Sequence, residues 1–570
     1  MGSSTADTET RVPAPPLHSP DLWLFRNLPL RLVIPVALIA VASSLVAVIF
    51  GASTPIAAAI CAAVLLIGLV PFRGTSLARF LDEEIAFRWR AFRHRSATVD
   101  QAPFDVPLPE GGAYGMRWDG SRLITMLRIE AHPRTVTLLS PRALIADDMM
   151  PLPEIAHCLD QFDIGLASID VISTGARTAG TGAVAQLYER ILGPLPAVAH
   201  RTVWVVLRLD PLANAAAVNR RGGGATGTLR SAIVATRRVA NRLAARGLTA
   251  SVLSAAEMTG AVNQLIRHAP LDEFTETAHS VEHDGIHYTT YRMAPQALGP
   301  RGFAAVWSTP TIATTVTMRL QRTNNSTPKR GDAGIEVTAV ARFDTRDKPA
   351  DVRAAGLVPL PGKQFRALLY TLPVAARGQQ FSPESYLGKP DSLADLPVPI
   401  AGCGQLIGAD SSGQGVALPL VGHHVRRVEV IGSLLVAQQM ILRAIALGAA
   451  VVVHTNRHEA WRPMVADVDA PQSLMLAAWS AGSQQASAHR FADVVVYDGI
   501  APSTHHSDAT VVLLRNTPVA DDSFEPDVTL TEDPETTNLV TVDTAGESTT
   551  VHMVATPDEL RYLHVGMAAV

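Results

Sequence analysis

Two long apolar stretches stand near the start of the chain. Residues 32–52, LVIPVALIAVASSLVAVIFGA, are uncharged and long enough for a membrane-crossing helix. After the break at 53–55, residues 56–72, IAAAICAAVLLIGLVPF, repeat the pattern at the short end of that range. Two uncharged runs joined by so short a turn predict a two-helix transmembrane hairpin over 31–72 rather than a pair of buried core helices. The polar, Pro-rich residues 1–30 read as a flexible tail. A cleaved signal peptide fits poorly, since a second apolar run follows the first at once. Arg26 and Arg31 precede the pair and Arg73 and Arg79 follow it, while the turn is uncharged. Positive flanks stay inside, so both termini and the bulk of the chain are expected on the cytoplasmic side.

Beyond the hairpin the periodicity becomes helical. Leu77, Phe80, Leu81, Ile85, Trp89 and Phe92 share one face, and Arg88, Arg90, Arg93 and Arg95 cluster near its end. This predicts a basic juxtamembrane amphipathic helix over 73–98, lying on the anionic leaflet or packed against protein. From 104 to 280 short apolar strands alternate with helical runs. A hairpin is expected around Asp119-Gly120, and a long helix ends at Gly247. Residues 281–400 read as a strand-rich connecting region and 401–570 as a second α/β region. The predicted fold class is an α/β cytoplasmic body, with mixed or mostly parallel sheets covered by helices, anchored by the hairpin.

Composition narrows the function classes. The 570 residues carry a formal net charge of −4, which gives no general nucleic-acid surface, and 47% are hydrophobic against 18% charged. The three cysteines, Cys61, Cys158 and Cys403, are far apart and include no C-x-x-C. That usage suits a reducing compartment and gives no disulfide framework or Cys-rich zinc site.

The strongest chemical signal is VEVIGSLLVAQQMILRAIALGAAVVVHT, residues 428–455. A strand, Gly432, a helix and a second strand follow in the order of a phosphate-binding domain. A working P-loop needs a second glycine, a Lys for the β/γ-phosphates and a Ser or Thr for Mg²⁺. Counted from Gly432, those places hold Ala437, Gln438 and Gln439. The apolar strand FADVVVYDG ends on Asp498, where a Walker B Asp would lie, but Gly499 follows in place of a water-orienting acid. The pattern predicts a degenerate P-loop-like turn with no catalytic residue, no metal and no cofactor.

Other constellations are weaker. Gly222 and Gly227 have P-loop separation, but Thr228 stands at the Lys position. Arg220, Arg221 and Arg230 offer an anion contact, against the simpler reading of a surface loop or partner contact. His279, His283 and His287 are four apart, yet Gly285 argues against one continuous helix, and a polar linker is the expected role. Asp467 and Asp469 form a D-x-D of the kind with which sugar transferases hold a metal, but no base can be placed beside it. Neither G-x-S-x-G nor H-E-x-x-H occurs.

The segments YGMRWDGSRLITMLRI, FDIGLASIDVISTGARTAG, YERILGPLP and RTVWVVLRLDPLANAAAVNRRGGGATGTLR follow the hairpin in order. In order and wording they resemble EccE, a membrane component of the type VII (ESX) secretion systems of mycobacteria and their relatives, from about residue 30 to 270. The resemblance implies a structural subunit of the inner-membrane complex, working beside EccB, EccC and EccD, with EccC as the ATPase and EccD as the contact of the cytoplasmic part. It also implies a degenerate glycosyltransferase-like body and supplies no catalytic residue. A regulatory pseudo-ATPase and a degenerate membrane-bound glycosyltransferase are the alternatives.

Overall fold

The computed structural model describes residues 30–69 and 101–563, with breaks of which the longest are 324–333, 375–380, 478–491 and 518–523, together with 16–19, 71–72 and 75–76. The expected helix over 73–98 lies outside the described residues apart from Thr75–Ser76, which pairs with Pro71–Phe72 as a short strand, and so does the tail before residue 30 apart from 16–19.

The first apolar run forms a helix over Leu30–Ile49 and the second a helix over Thr54–Leu69. They pack against each other through small side chains. A Cβ at Gly68 would sit 2.7 Å from Val36 Cγ1, so only glycine permits this approach. Ala40 and Ala57 are buried in the pair, while Ile34, Leu38, Ile39, Leu45, Ile49 and Leu66 are exposed. Among the described residues no helix is long and apolar enough to cross a membrane. The second helix has 16 residues, about 24 Å against a hydrocarbon core of about 30 Å, and the side chains described in the first begin at Val33.

Among the described residues the first sheet has 13 strands. Its centre runs, in spatial order, Ile286–Met293, Ile335–Arg346, Ala313–Arg322, Ser168–Ala176, His200–Leu209, Leu123–Glu130 and Ala113–Trp118. These pairs are antiparallel. Helix-strand alternation suggests parallel crossovers here. The chain instead leaves the sheet after Ala176, makes the helix Ala183–Leu192 elsewhere, and re-enters at His200 directly opposite Ala176, which forces antiparallel pairing. The Asp119-Gly120 hairpin joins Trp118 to Leu123 as expected.

Helices cover both faces. On one lies Gly224–Ala244, whose buried Ala232, Ala235, Val239 and Leu243 recur at helical spacing. On the other lies Ala255–Leu265, with Met258, Ala261, Val262 and Leu265 turned inward. A capping box starts the latter: Ser254 Oγ accepts from the Glu257 backbone N–H and the Glu257 carboxylate accepts from the Ser254 N–H. Such a cap is worth about 1 kcal/mol.

Among the described residues the second sheet has 12 strands. Leu474–Leu476, Val451–Thr455, Val494–Asp498, Thr510–Arg515, Arg427–Ile431 and Val528–Glu532 are parallel neighbours, and antiparallel strands extend the sheet beyond them.

These two sheets redraw the expected boundaries. Residues 281–359 supply strands to the first sheet, so a division at 280 would part Ala313–Arg322 from Ser168–Ala176 and leave both edges unpaired. Conversely, Thr137–Ser140 pairs with Gly415–Leu418 in the second sheet, and Leu187, Tyr188 and Leu192 belong to the second core. Arg201 joins the bodies where they meet. Its guanidinium donates to Ala401 O (3.1 Å) and Ser173 Oγ (2.9 Å) and lies 3.9 Å over the Trp307 ring. Burial lowers its pKa to about 10.

Candidate functional site

The strand Arg427–Ile431 delivers the chain to the P-loop-like turn, and only Gly432 and Ser433 separate it from the helix Leu434–Ala446. A phosphate-cradling loop would need the helix to start several residues later. Ala437, Gln438 and Gln439 are therefore not loop residues but lie inside the helix, where all three are buried. Gln438 Nε2 donates to Ala460 O at 2.9 Å. Gln439 Nε2 donates to Val554 O at 3.2 Å and to the Glu559 carboxylate at 3.1 Å. The amides are cross-links between elements, and their replacement of Lys and Ser/Thr follows from that burial.

The helix N-terminus, where a phosphate would sit, faces a side chain of the same molecule. Glu532 ends the neighbouring parallel strand, and its Oε2 accepts from the Ser433 N–H at 2.6 Å. A Cβ on Gly432 would stand 2.7 Å from Glu532 Cβ and 2.8 Å from its Oε2, so glycine here admits a carboxylate from within the chain. An anion at a helix N-terminus is favourable by about 0.3–1 kcal/mol, and Glu532 takes that role. Its negative charge would repel an incoming phosphate.

Asp498 is equally committed. It is buried, and its oxygens accept from Thr455 Oγ1 (2.8 Å), Trp461 Nε1 (2.9 Å) and Arg457. The carboxylate thus ties the helix His458–Val468 to the ends of two parallel strands. Gly499 has φ +66°, and a Cβ there would stand 2.8 Å from Asn456 Oδ1, so an acid at 499 would meet both strain and a clash.

The helix Leu434–Ala446 also carries a buried ion pair that its sequence hid. Arg443 and Glu559 are bidentate at 2.8 and 3.1 Å, and Arg443 also donates to Leu406 O, Ile407 O and Val554 O. Nothing local links residues 116 positions apart. The one available sign was an Arg on the apolar side of an amphipathic helix.

The weaker constellations resolve into structural roles. Gly222, Gly223 and Gly224 take positive φ in the turn between the helices Ala215–Arg220 and Gly224–Ala244. Arg221 holds Asp163 there with two hydrogen bonds, and Arg230 donates to Arg221 O. A Cβ on Gly227 would lie 2.2 Å from Val218 O, so that glycine serves close helix packing. His279, His283 and His287 flank a hairpin turning at Asp284-Gly285, with His287 Nδ1 3.0 Å from Ser280 Oγ, rather than lining a linker. Asp467 lies in the last turn of His458–Val468 and Asp469 caps it in the left-handed conformation. Among the described residues no group of three His, Cys, Asp or Glu side chains is placed to hold a metal.

A second buried cluster escaped sequence reasoning. Asp170, fully buried on the first sheet, faces Arg319 across one strand pair and Arg208 across the other, at 2.7 and 3.1 Å. Burial works to raise its pKa, but Arg319 and then Arg208 outweigh it and hold the carboxyl below its ordinary value. Arg319 also lies 4.0 Å over the Tyr370 ring. The signal was a charge inside each of three strands, Asp170, Arg208 and Arg319.

Residues 197–293 match the sequence model of a family described as "Putative type VII ESX secretion system translocon, EccE". The ESX-1 secretion system protein EccE1 of Mycolicibacterium smegmatis is 32% identical over 174 residues, 29% of this chain and 36% of the relative. The chain carries a segment similar to EccE proteins of ESX secretion systems. The ESX-2 protein EccE2 of Mycobacterium tuberculosis is 24% identical over 60% of each chain, and the ESX-5 protein EccE5 of Mycobacterium marinum is 24% identical over 50% of this chain and 70% of its own. The chain spans about a third of the length of the M. smegmatis relative (36%). The segment matched to EccE starts just before the strand His200–Leu209, includes the long helix, and ends in Ile286–Met293. It extends past residue 270, and the P-loop-like turn lies outside it.

Proposed function

We propose that this chain is a non-catalytic structural subunit of a type VII (ESX) secretion complex at the inner membrane, assembling with EccB, EccC and EccD. The observation that carries the proposal is the EccE segment at 197–293, with relatives named as ESX secretion system proteins. The P-loop-like turn supports it, because Glu532, Gln438, Gln439 and Asp498 are all spent on internal bonds. The exposed apolar surface of the two N-terminal helices supports a membrane hairpin, and the flanking Arg26, Arg31, Arg73 and Arg79 support both termini in the cytoplasm.

Affinity purification of the tagged full chain from membranes in mild detergent, with mass spectrometry, is expected to recover EccB-, EccC- and EccD-like proteins, and deletion of the gene should stop ESX export. A monodisperse chain without such partners at native expression would refute the assignment. A periplasm-dependent phosphatase fused at Val570 should stay inactive, and an active fusion would refute the topology. A regulatory pseudo-ATPase is favoured by the strand-turn-helix scaffold and opposed by the Glu532 carboxylate at its mouth. Micromolar nucleotide binding by the purified chain would restore it.

A further inference from the structure

Away from the turn, one end of the first sheet presents two large apolar side chains to solvent. Phe162 is 97% exposed and Leu212 is 87% exposed. Phe162 sits at the tip of the hairpin Asp160–Gln161/Ile164–Gly165 with φ +54°, which the first position of a two-residue hairpin loop requires and which an aromatic residue adopts only at a cost that no core packing repays here. Leu212 lies in a turn in which Asp210 Oδ1 accepts from the N–H groups of Leu212 (2.9 Å) and Ala213 (3.2 Å). Asn214 fastens the two tips together. Its Oδ1 accepts from Gly165 N–H at 2.7 Å, and its Nδ2 donates to Gly165 O and Asp210 O, each at 2.8 Å. The mounting is rigid although the tips are bare.

Around the tips Arg220, Arg221, Arg230, Arg238 and Arg322 outnumber the carboxylates of Asp160, Asp163 and Asp210. Arg220, Arg221 and Arg238 converge on the single carboxylate of Asp163, at 3.5, 2.7 and 3.5 Å. Arg220 remains 63% exposed, and Arg238 lies 5.3 Å over the Phe162 ring.

We propose that the Phe162 and Leu212 tips, with their arginine flank, are a preformed docking surface for a folded protein that offers apolar pockets edged by carboxylates. Two knobs held at a fixed spacing suit fixed pockets, since a fluid lipid surface gains nothing from that rigidity, whereas a protein partner is spared the cost of ordering them. Aromatic and Arg side chains are also the groups that dominate such contacts. The excess of guanidinium over carboxylate selects an acidic rim. The proposal rests on the reading of the chain as a subunit held by contacts, and it adds where one contact is made and with what chemistry.

The test uses the full chain in its native membrane, with a photo-reactive amino acid at Leu212. The expected adduct joins a protein other than this chain, on a peptide carrying Asp or Glu beside apolar residues. Arg220→Glu should reduce the adduct about tenfold, and Lys in place of the partner's carboxylates should restore it. Phe162→Gly should likewise reduce the adduct about tenfold or more while thermal stability holds or rises, because glycine relieves the left-handed backbone. An adduct confined to lipid or to a second copy of the chain, no adduct, or an adduct indifferent to both substitutions would overturn the proposal. Recovery of ESX components in the pull-down without an adduct at 212 would refute the surface alone. An adduct without ESX components in the pull-down would refute the subunit assignment alone.

Discussion

Rewriting the turn as a working P-loop, Ala437→Gly with Gln438→Lys and Gln439→Thr, is the sharpest test of what the helix Leu434–Ala446 is for. If 432–439 were a loop, these changes would be mild and would supply the missing phosphate and Mg²⁺ ligands. The structure makes each costly. Glycine inside a helix costs about 1 kcal/mol relative to alanine. Gln438 is 5% exposed and bonded to Ala460 O, so a lysine there must bury its ammonium or lose its charge, at roughly 2 kcal/mol or more. A threonine in place of Gln439 cannot reach Val554 O and Glu559 as the amide does, which adds roughly 1–3 kcal/mol for buried polar groups left short of a partner.

Together these come to about 5 kcal/mol, the lower edge of the total stability of an ordinary domain. Neighbouring sites couple, so the sum is a scale and not a strict total. At about 2–4 °C per kcal/mol for a body of this size, thermal unfolding followed by circular dichroism should fall by roughly 10–20 °C. ATP hydrolysis should stay at background. A triple variant that keeps its melting temperature and binds ATP with Mg²⁺ would refute the placement of these residues within the helix and reopen the nucleotide reading.

Two further outcomes follow from the charged clusters. Arg443→Met leaves the Glu559 carboxylate buried with only the Gln439 amide and should cost about 3–5 kcal/mol in denaturant unfolding, while the Arg443→Met/Glu559→Leu double variant should fall short of the sum of the singles by about 2 kcal/mol; strict additivity would show that the pair is not coupled. Asp163 is held at about 2, first by its hydrogen bond from Arg221, so its contribution is full above the unfolded value near 4 and is lost as pH falls through about 2. Acid titration of stability should therefore separate wild type from Asp163→Asn above pH ~4 and bring the two together below ~2, and parallel curves over that range would count against the Arg221 contact.

How far the sequence could be read depends on whether a feature is local. The strand-glycine-helix-strand order at 428–455 was legible, because apolar runs and their glycine breaks fix elements by themselves. So was the Asp119-Gly120 hairpin, whose turn residues carry their own backbone preference. The first residue of the helix was not legible. Spacing counted from Gly432 imposed the geometry of a loop, whereas Leu434 and Leu435 pack at once against the second core and start the helix early. What fills the turn was hidden for a different reason: Glu532 lies 99 positions away and arrives only because its strand pairs in parallel with Arg427–Ile431.

Strand direction shows the same limit on a larger scale. Alternating strands and helices fit parallel crossovers or antiparallel returns equally well, and the excursion from Ala176 to His200 settles the matter by where it goes. The helix Ala183–Leu192 buries Leu187, Tyr188 and Leu192 in the second core, not on the first sheet. Arg177, buried at the exit from the first sheet, donates to Leu195 O and Gly193 O and pairs with Glu189 at 2.7 Å, pinning the excursion at its base. Cys403 N–H then donates to Val198 O, so a segment about 200 residues later is stitched to the returning strand. The two bodies are therefore laced through one another at 137–145, 177–199 and 401–404, rather than joined in series by a connecting region. The pairing of Thr137–Ser140 with Gly415–Leu418 and the bond from Cys403 N–H to Val198 O thus tie the two sheets together at several points along the chain.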